Sequence, residues 1–332
     1  MSALYPWLVR PWQHLLNNKA RPAQALLISG SAGIGKSALA YAWAQTLLCE
    51  APRPDGDACN ECGACHWFKA GTHPDFRLLT LQEKENKDGE TTLATGIDVE
   101  QARETVDFVR SSAYRAGRRV VLVEPADALN VAAANALLKV LEEPPLNTTF
   151  LLVSDQPRRL LPTVRSRCTR LDVGLPPQED ALRWLRDQQL DNAEEMLALA
   201  SGAPLAAVKC LEEGGLTVRK DLFQVLSKPS SLDPVMRADT WKNLNPRVWH
   251  ILTYKWLCDV LATRLKCAAR FNPDYSEALL KLGKHVDLAR LLALSKAHVE
   301  QGRYVMHPLN RQLQLETWLI QYRQLFIEDE KT

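Results

Sequence analysis

The sequence predicts an α/β nucleotide-binding domain with a parallel sheet, followed by an all-helical C-terminal part. A phosphate-binding loop near the N-terminus is preceded by an apolar strand pattern and followed by a run of good helix formers. Strand and helix patterns then alternate as far as about residue 170, which is typical of a parallel sheet with covered faces. From about residue 215 onward only helical spacing is found.

The composition is that of an ordinary globular protein, because 46% of the 332 residues are hydrophobic and 24% are charged. The net charge of +2 is too small to indicate nucleic-acid binding by the chain as a whole, although a local basic patch could still bind nucleic acid. No apolar run approaches the ~20 residues that cross a bilayer, and the N-terminus has no signal pattern. We therefore expect a cytoplasmic protein without membrane contacts. Eight cysteines are too few for a disulfide scaffold and indicate thiols or metal ligands.

After an entry helix and loop at 5–23, the segment Gly30–Ser37 matches the phosphate-binding pattern G-x-x-x-x-G-K-[ST]. Its glycines, Gly30, Gly33 and Gly35, would let backbone N–H groups point at phosphate oxygens. Lys36 would reach the β- and γ-phosphates, and the Ser37 hydroxyl would bind Mg²⁺. A glycine-rich turn with a chance lysine is the alternative, and it leaves the flanking strand and helix unexplained. We expect ATP or ADP with Mg²⁺ in this loop.

A cysteine-rich insert follows at 49–73, with the spacing C-x9-C-x2-C-x2-C. Its thiols belong to Cys49, Cys59, Cys62 and Cys65. Such spacing can close a tetrahedral, structural Zn²⁺ site that stiffens a segment with little core of its own. The alternatives are spare thiols, a haem attached at Cys62–His66, and a site in which His66 replaces one cysteine. Haem attachment normally belongs to exported proteins, so zinc is favoured.

The next elements alternate in the same way. The polar segment 82–96 predicts a loop, and 97–112 predicts a helix that begins near Asp98 and buries Val99, Val106 and Val109. The helix over 131–142 is expected to bury Ala134, Leu137, Leu138 and Leu141. Three further strands are predicted, at 76–81, 118–123 and 148–153.

Helices dominate the remainder, with a linker at 174–177 and short helices predicted at 178–186, 193–200 and up to about 211. Two apolar stripes at helical spacing are expected to face the core rather than a partner. One consists of Ile251, Tyr254, Cys258, Leu261 and Leu265, and the other of Leu315, Leu319, Tyr322 and Phe326. We place the domains at 1–171, 172–213 and 214–332.

The strand at 118–123 is followed by Glu124-Pro125-Ala126-Asp127, at the position where P-loop ATPases carry acidic residues. Glu124 could reach a magnesium ion. Pro125 can neither polarise water nor accept its proton, and Asp127 lies at a different register. The loop is therefore expected to bind nucleotide without hydrolysing it.

Three segments resemble the AAA+ clamp-loader ATPases of bacterial DNA polymerase III: Gly71–Asp75, Ala133–Pro145 and Ser166–Cys168. The resemblance covers the whole chain and is strongest over 24–170. It implies an AAA+ domain with a zinc insert, a small helical lid at 172–213, and a helical collar at 214–332. It also implies a hetero-pentameric ring with the subunits δ and τ/γ, which loads the sliding clamp onto primed DNA. Such a ring is part of a DNA-directed DNA polymerase holoenzyme, a nucleotidyltransferase.

The resemblance further implies a catalytic role for Arg167, whose side chain would enter the ATP site of the neighbouring subunit. A surface arginine in a salt bridge is the alternative. Active family members carry Asp-Glu where this chain has Glu124-Pro125, and an arginine where it has Leu205. Both differences favour a family member that does not hydrolyse ATP. A motor-type ATPase that uses Glu124 as its Mg²⁺ ligand stays open. A small-molecule kinase would need an acceptor-binding lid, of which the helical C-terminal half gives no sign.

Overall fold

The computed structural model describes residues 4–85, 91–94, 96–111, 113–114, 117–190, 192–302 and 310–326. The chain divides into two compact units, Met1–Asp180 and Ala181–Thr332. The finer division at 171 and 213 stays a prediction. Within the described ranges, no helix combines the length and hydrophobicity that a bilayer span requires.

The first unit is built on a parallel sheet. In chain order its strands are β1 (Ala25–Ser29), β2 (Phe76–Leu79), β3 (Glu83–Glu85), β4 (Thr91–Leu93), β5 (Arg119–Val123), β6 (Thr148–Ser154) and β7 (Thr169–Asp172). Five of them form one sheet in the order β2-β5-β6-β1-β7, and every neighbouring pair is parallel. All residues of β1, β5 and β6 are buried, as continuous apolar strands in a covered sheet should be. The predicted α/β class is confirmed.

The helices of this unit flank the sheet. They are α1 (Val9–Asn17), α2 (Lys36–Leu48), α3 (Gly63–Lys69), α4 (Val99–Arg110), α5 (Val131–Glu142) and α6 (Pro162–Arg165). Asp98 caps α4 through a reciprocal capping box with Gln101, which explains why that helix begins there. The predicted apolar face of α5 is also confirmed, since Ala134, Leu137 and Leu141 are buried and Leu138 packs against the same core.

One segment of the first unit, predicted as a loop, differs from the sequence prediction. Residues Glu83–Glu85 pair antiparallel with Thr91–Leu93, within the segment predicted as a loop. Backbone hydrogen bonds between two short strands do not require an apolar side-chain pattern, so polarity alone was misleading. Residues 86–90, 95 and 112, which the predicted loop and helix included, lie outside the described residues.

The second unit is helical throughout its described residues. Its helices are α7 (Gln178–Asp187), which begins within the first unit, α8 (Ala193–Leu199), α9 (Pro204–Glu212), α10 (Gly215–Leu226), α11 (Pro234–Trp241), α12 (Pro246–Arg264), α13 (Ser276–His285), α14 (Leu288–Gln301) and α15 (Arg311–Gln324). One hydrophobic core joins these helices, and its largest members are aromatic. Leu315, Leu319 and Tyr322 of α15 are buried and Phe326 packs beside them, which confirms the second predicted stripe.

The other predicted stripe, on α12, was wrong at three of its five positions. Ile251, Tyr254 and Leu265 are 50%, 39% and 58% exposed, whereas Leu252 and Trp256 on the neighbouring face are buried. Apolar residues occur on most faces of α12, so helical spacing alone was compatible with two different buried faces. The bulky tryptophan side chains fill the core. Of the other two stripe members, Leu261 packs against that core and Cys258 is half-buried.

Candidate functional site

The phosphate-binding loop lies where predicted, between the end of β1 and the first residue of α2. Its glycines Gly30, Gly33 and Gly35 have φ angles of 153°, 76° and 90°. A Cβ on Gly35 would lie 2.6 Å from the ring of Tyr5, so both the backbone angle and the space require glycine there. The Trp7 indole donates a hydrogen bond of 2.9 Å to the Ile34 carbonyl and fixes the loop from the N-terminal side.

Lys36 is 3% exposed and is held by two oxygen atoms. Its Nζ donates to the Ser31 carbonyl oxygen at 2.6 Å and forms an ion pair with Asp155 Oδ1, also at 2.6 Å. Asp155 follows β6, which lies beside β1 in the sheet. The sequence analysis missed Asp155, although an acidic residue directly after a buried strand is a recognisable signal.

Ser37 and Glu124 also come together, because α2 begins beside the end of β5. The Ser37 hydroxyl donates a hydrogen bond to Glu124 Oε1. Two oxygen ligands at the mouth of the loop suit a hard cation such as Mg²⁺. The glycine cradle, the buried ammonium group and this oxygen pair therefore fit a magnesium-bound nucleotide.

Asp127 was predicted to lie away from the position of the acidic residues in P-loop ATPases, and in the structure its carboxylate contacts the end of β6. Asp127 Oδ1 accepts hydrogen bonds from Ser154 Oγ at 2.6 Å and from the Asp155 N–H at 3.2 Å. Its carboxylate is therefore occupied in fixing the chain after β6. Pro125, which lies between Glu124 and Asp127, offers no side-chain polar atom.

Arg167 lies between α6 and β7, and its side chain is 29% exposed. Nη1 donates to the Thr163 carbonyl at 3.0 Å, and Nη2 pairs with Glu142 Oε1 at 3.1 Å. Its Nε has no partner among the described residues. In the single chain Arg167 thus has the salt bridge that the alternative prediction required, and a role in a neighbouring subunit stays a prediction.

Leu205 is the second residue of α9, and its side chain is half-buried in the second unit. It offers no charge to a phosphate group. Its proposed correspondence to a nucleotide-sensing arginine stays a prediction.

The four cysteines of the insert form one cluster, and their Sγ atoms all lie within 4.8 Å of one another. The Sγ separations are 3.6 Å for Cys49–Cys59, 4.0 Å for Cys49–Cys62 and 3.9 Å for Cys59–Cys65. Tetrahedral zinc with Zn–S bonds of about 2.3 Å requires separations of about 3.8 Å, whereas a disulfide requires about 2.05 Å. These four cysteines could therefore hold a metal ion. His66 is exposed and lies outside the group.

Backbone amides also point at the sulfur atoms. The Cys59 amide donates to Cys49 Sγ with an N···S distance of 3.3 Å, and the Cys62 amide donates to Cys59 Sγ at 3.2 Å. Hydrogen bonds from the Glu61 and Cys62 amides lower the pKa of the Cys59 thiol to about 6, while burial raises the pKa of Cys65 to about 12. N–H···S bonds of this kind stabilise the thiolates that a metal ion binds.

The insert is fixed to the helices beside it. The Trp12 indole on α1 donates to Asp57 Oδ1 at 2.8 Å in a buried contact, and Lys19 Nζ donates to the Gly56 carbonyl at 2.5 Å. On α2, Gln45 donates to Asn60 Oδ1 at 3.0 Å. The cysteine cluster is thus connected through α2 to the phosphate-binding loop.

Comparisons with known proteins cover both units. A family model described as "DNA polymerase III, delta subunit" matches residues 7–176, and one described as "DNA polymerase III, delta subunit, C terminal" matches residues 213–324. The chain is 38% identical to DNA polymerase III subunit delta′ of Pseudomonas aeruginosa, over 98% of this chain and 99% of that protein. It is 33% identical to DNA polymerase III subunit delta′ of Escherichia coli K12, over 95% of this chain and 94% of that protein.

Among solved structures, a DNA polymerase III gamma-subunit-related protein from Thermotoga maritima aligns with 95% of this chain and 99% of its own. Its identity of 15% and TM-score of 0.43 are too low to support an inference about function. The two delta′ proteins, by contrast, match along nearly their full lengths at 33% and 38% identity. The chain therefore belongs to the DNA polymerase III subunit δ′ family.

Proposed function

We propose that this chain acts as the δ′ subunit of a clamp loader, in a hetero-pentameric ring with δ and τ/γ. In that ring it is a stator, which supports ATP-dependent loading of the sliding clamp onto primed DNA. The observation that carries the proposal is the match over nearly the full length of two relatives named as DNA polymerase III subunit delta′. The complex would work in the cytoplasm, with the replisome at the nucleoid.

The outward apolar face of α12 supports a role for the second unit in assembly. Ile251, Tyr254 and Leu265 expose between 39% and 58% of their surface, although the same helix also contributes to the core. A helical collar formed with neighbouring subunits would remove these side chains from water.

Nucleotide in this chain's own loop would be held rather than hydrolysed. Lys36 would neutralise phosphate charge, the loop amides would orient the phosphates, and Ser37 with Glu124 would hold Mg²⁺. Pro125 offers no group that could orient or deprotonate an attacking water. The contact between Ser37 and Glu124 favours one second candidate, a motor-type τ/γ-like ATPase, because it supplies the Mg²⁺ ligand which that enzyme needs.

Arg167 would exert its catalytic effect on the neighbouring subunit. On assembly its guanidinium would leave Glu142 and approach the γ-phosphate held by that subunit. A planar, permanently charged fork of donors suits the negative charge that develops during phosphoryl transfer. The exposure of the pair supports this exchange, since solvent reaches 29% of the Arg167 side chain and 57% of Glu142.

We expect Arg167→Ala to abolish this contribution in a clamp loader reconstituted with δ and τ/γ. Arginine fingers contribute about 10³- to 10⁵-fold to turnover in well-studied systems, so ATP hydrolysis at the adjacent site should fall by about 10³-fold or more. Clamp- and DNA-stimulated phosphate release measures the effect, and gel filtration should show an intact complex.

Glu142→Ala is the matched control, because it breaks the same ion pair and leaves Arg167 in place. It should keep near-normal turnover. The role of Arg167 in the neighbouring site would be refuted if the complex with Arg167→Ala hydrolysed ATP normally. It would also be refuted if the complexes with the two variants lost the same activity.

A further inference from the structure

Four carboxylates lie at the edge of the sheet where the parallel strands end. Three of them accept a hydrogen bond from a hydroxyl group: Glu124 from Ser37, Asp127 from Ser154, and Asp172 from Ser29. Asp155 differs, because its carboxylate forms an ion pair with the ammonium group of Lys36 at 2.6 Å. The proposed function leaves this contact unexplained.

The hydrogen-bond capacity of Lys36 limits what the loop can bind. An ammonium group has three donors. One is directed to the Ser31 carbonyl and one to Asp155, which leaves a single donor for a ligand. Since Lys36 is 3% exposed, the surrounding chain leaves it little freedom to reorient.

A nucleoside diphosphate and a triphosphate make different demands on this lysine. A diphosphate ends at the β-phosphate, which needs only the remaining donor. A triphosphate also presents a γ-phosphate to the same ammonium group. The γ-phosphate must displace the Asp155 carboxylate from Lys36 or lie beside it. In the second case the negative charges of the phosphate and the carboxylate repel each other.

We infer that Asp155 makes the phosphate-binding loop selective for a nucleoside diphosphate over a nucleoside triphosphate. In effect, the Asp155 carboxylate occupies the place on Lys36 that a γ-phosphate would take. The inference rests on the proposal that the loop holds nucleotide, and it names which nucleotide that is. It also explains why a subunit with an intact loop would not hydrolyse ATP, since the bound nucleoside diphosphate has no γ-phosphate to transfer.

The test compares the binding of MgADP and MgATP to the isolated full-length chain by titration calorimetry at equal free Mg²⁺. We expect the unaltered chain to bind MgADP about tenfold more tightly, a modest figure because Asp155 is half-exposed and solvent screens its charge. Asp155→Asn keeps the size of the side chain and removes its charge. It should tighten MgATP binding and bring the ratio of the two dissociation constants close to one.

Asp172→Asn is the matched control, because it removes one negative charge from the same sheet edge at a residue bonded to Ser29 rather than to Lys36. It should keep the preference for MgADP. Thermal melting of each variant verifies that it is folded.

Three results would overturn the inference: equal or tighter binding of MgATP by the unaltered chain, no binding of either nucleotide, or an unchanged ratio in Asp155→Asn. None of them would remove the chain from the clamp loader. Membership in the complex is tested separately by reconstitution with δ and τ/γ, so the two failures are distinguishable.

Discussion

His298 is a residue whose surroundings predict a pH response. It is fully buried, stacks on His250 at 4.0 Å between ring centroids, and its Nε2 lies 3.0 Å from the His250 carbonyl oxygen. That contact requires a proton on Nε2, while Nδ1 has no partner among the described residues. Burial, followed by the charge of His250, lowers the pKa of His298 to about 4. The ring is therefore neutral in the folded unit.

A buried histidine with a lowered pKa costs no stability as long as it is neutral in both the folded and the unfolded chain. Below about pH 6.5 the unfolded chain takes up a proton that the folded chain refuses, so stability falls between about pH 6.5 and pH 4. At about 1.4 kcal/mol per pH unit, the total loss from this residue is up to about 3 kcal/mol.

Urea titrations at pH 7, 6 and 5 measure this loss as a falling free energy of unfolding. His298→Gln removes the titrating group and should flatten the slope, whereas His285→Gln, at an exposed position on α13, should leave the slope unchanged. An identical slope in His298→Gln would refute the assignment.

Other residue-level features could not be read from the chain. Asp155 pairs with Lys36 only because β6 lies beside β1, and the sheet order was unknown from sequence. Arg167 and Glu142 are 25 positions apart, a separation that no helical or strand period reveals. Local motifs were predictable, since the glycine loop and the cysteine spacing encode their geometry within a few residues.

At the scale of elements, a helix was predicted correctly where its apolar pattern allowed only one buried face. Helix α5 was predicted to its observed bounds because it has one apolar face and a Pro-Pro stop. Helix α12 was predicted as a helix, but with the wrong face inward, because tryptophan and leucine side chains compete with the predicted stripe for the core. The third dimension decides such cases, since volume as well as hydrophobicity determines which face is buried.

The cysteine insert is an element that we expect to depend on bound metal. Its four thiols have the separations of a tetrahedral site, while only a short helix, α3, lies within its described residues. We expect about one zinc per chain in protein purified without chelators. Cys62→Ser should lose the metal and melt at a lower temperature, because the insert would lose the ion that joins its ends.

Elemental analysis and thermal melting measure both effects. Cys267→Ser, at an exposed cysteine outside the cluster, is the control and should retain zinc. A metal content near zero in the unaltered chain, or full zinc content in Cys62→Ser, would contradict the structural zinc site.

For the whole molecule, the remaining question is whether the chain is a stator or a motor. A motor would also need a phosphate-binding loop, so the presence of the loop does not separate the two roles. They differ in the step after nucleotide binding, because a motor must orient water and this chain has Pro125 beside Glu124. We expect the isolated chain to bind magnesium nucleotide with almost no steady-state turnover.

Binding and phosphate release measured on the same preparation distinguish the two roles. Lys36→Ala should abolish binding, since it removes the ammonium group that contacts the phosphates, and it should leave the negligible phosphate release unchanged. Steady turnover by the unaltered chain that disappears in Lys36→Ala would assign it to the motor type instead. Binding without turnover would favour the stator role, in which any effect of this chain on hydrolysis is exerted at a neighbour's site, and Arg167 is the residue that we propose for that effect.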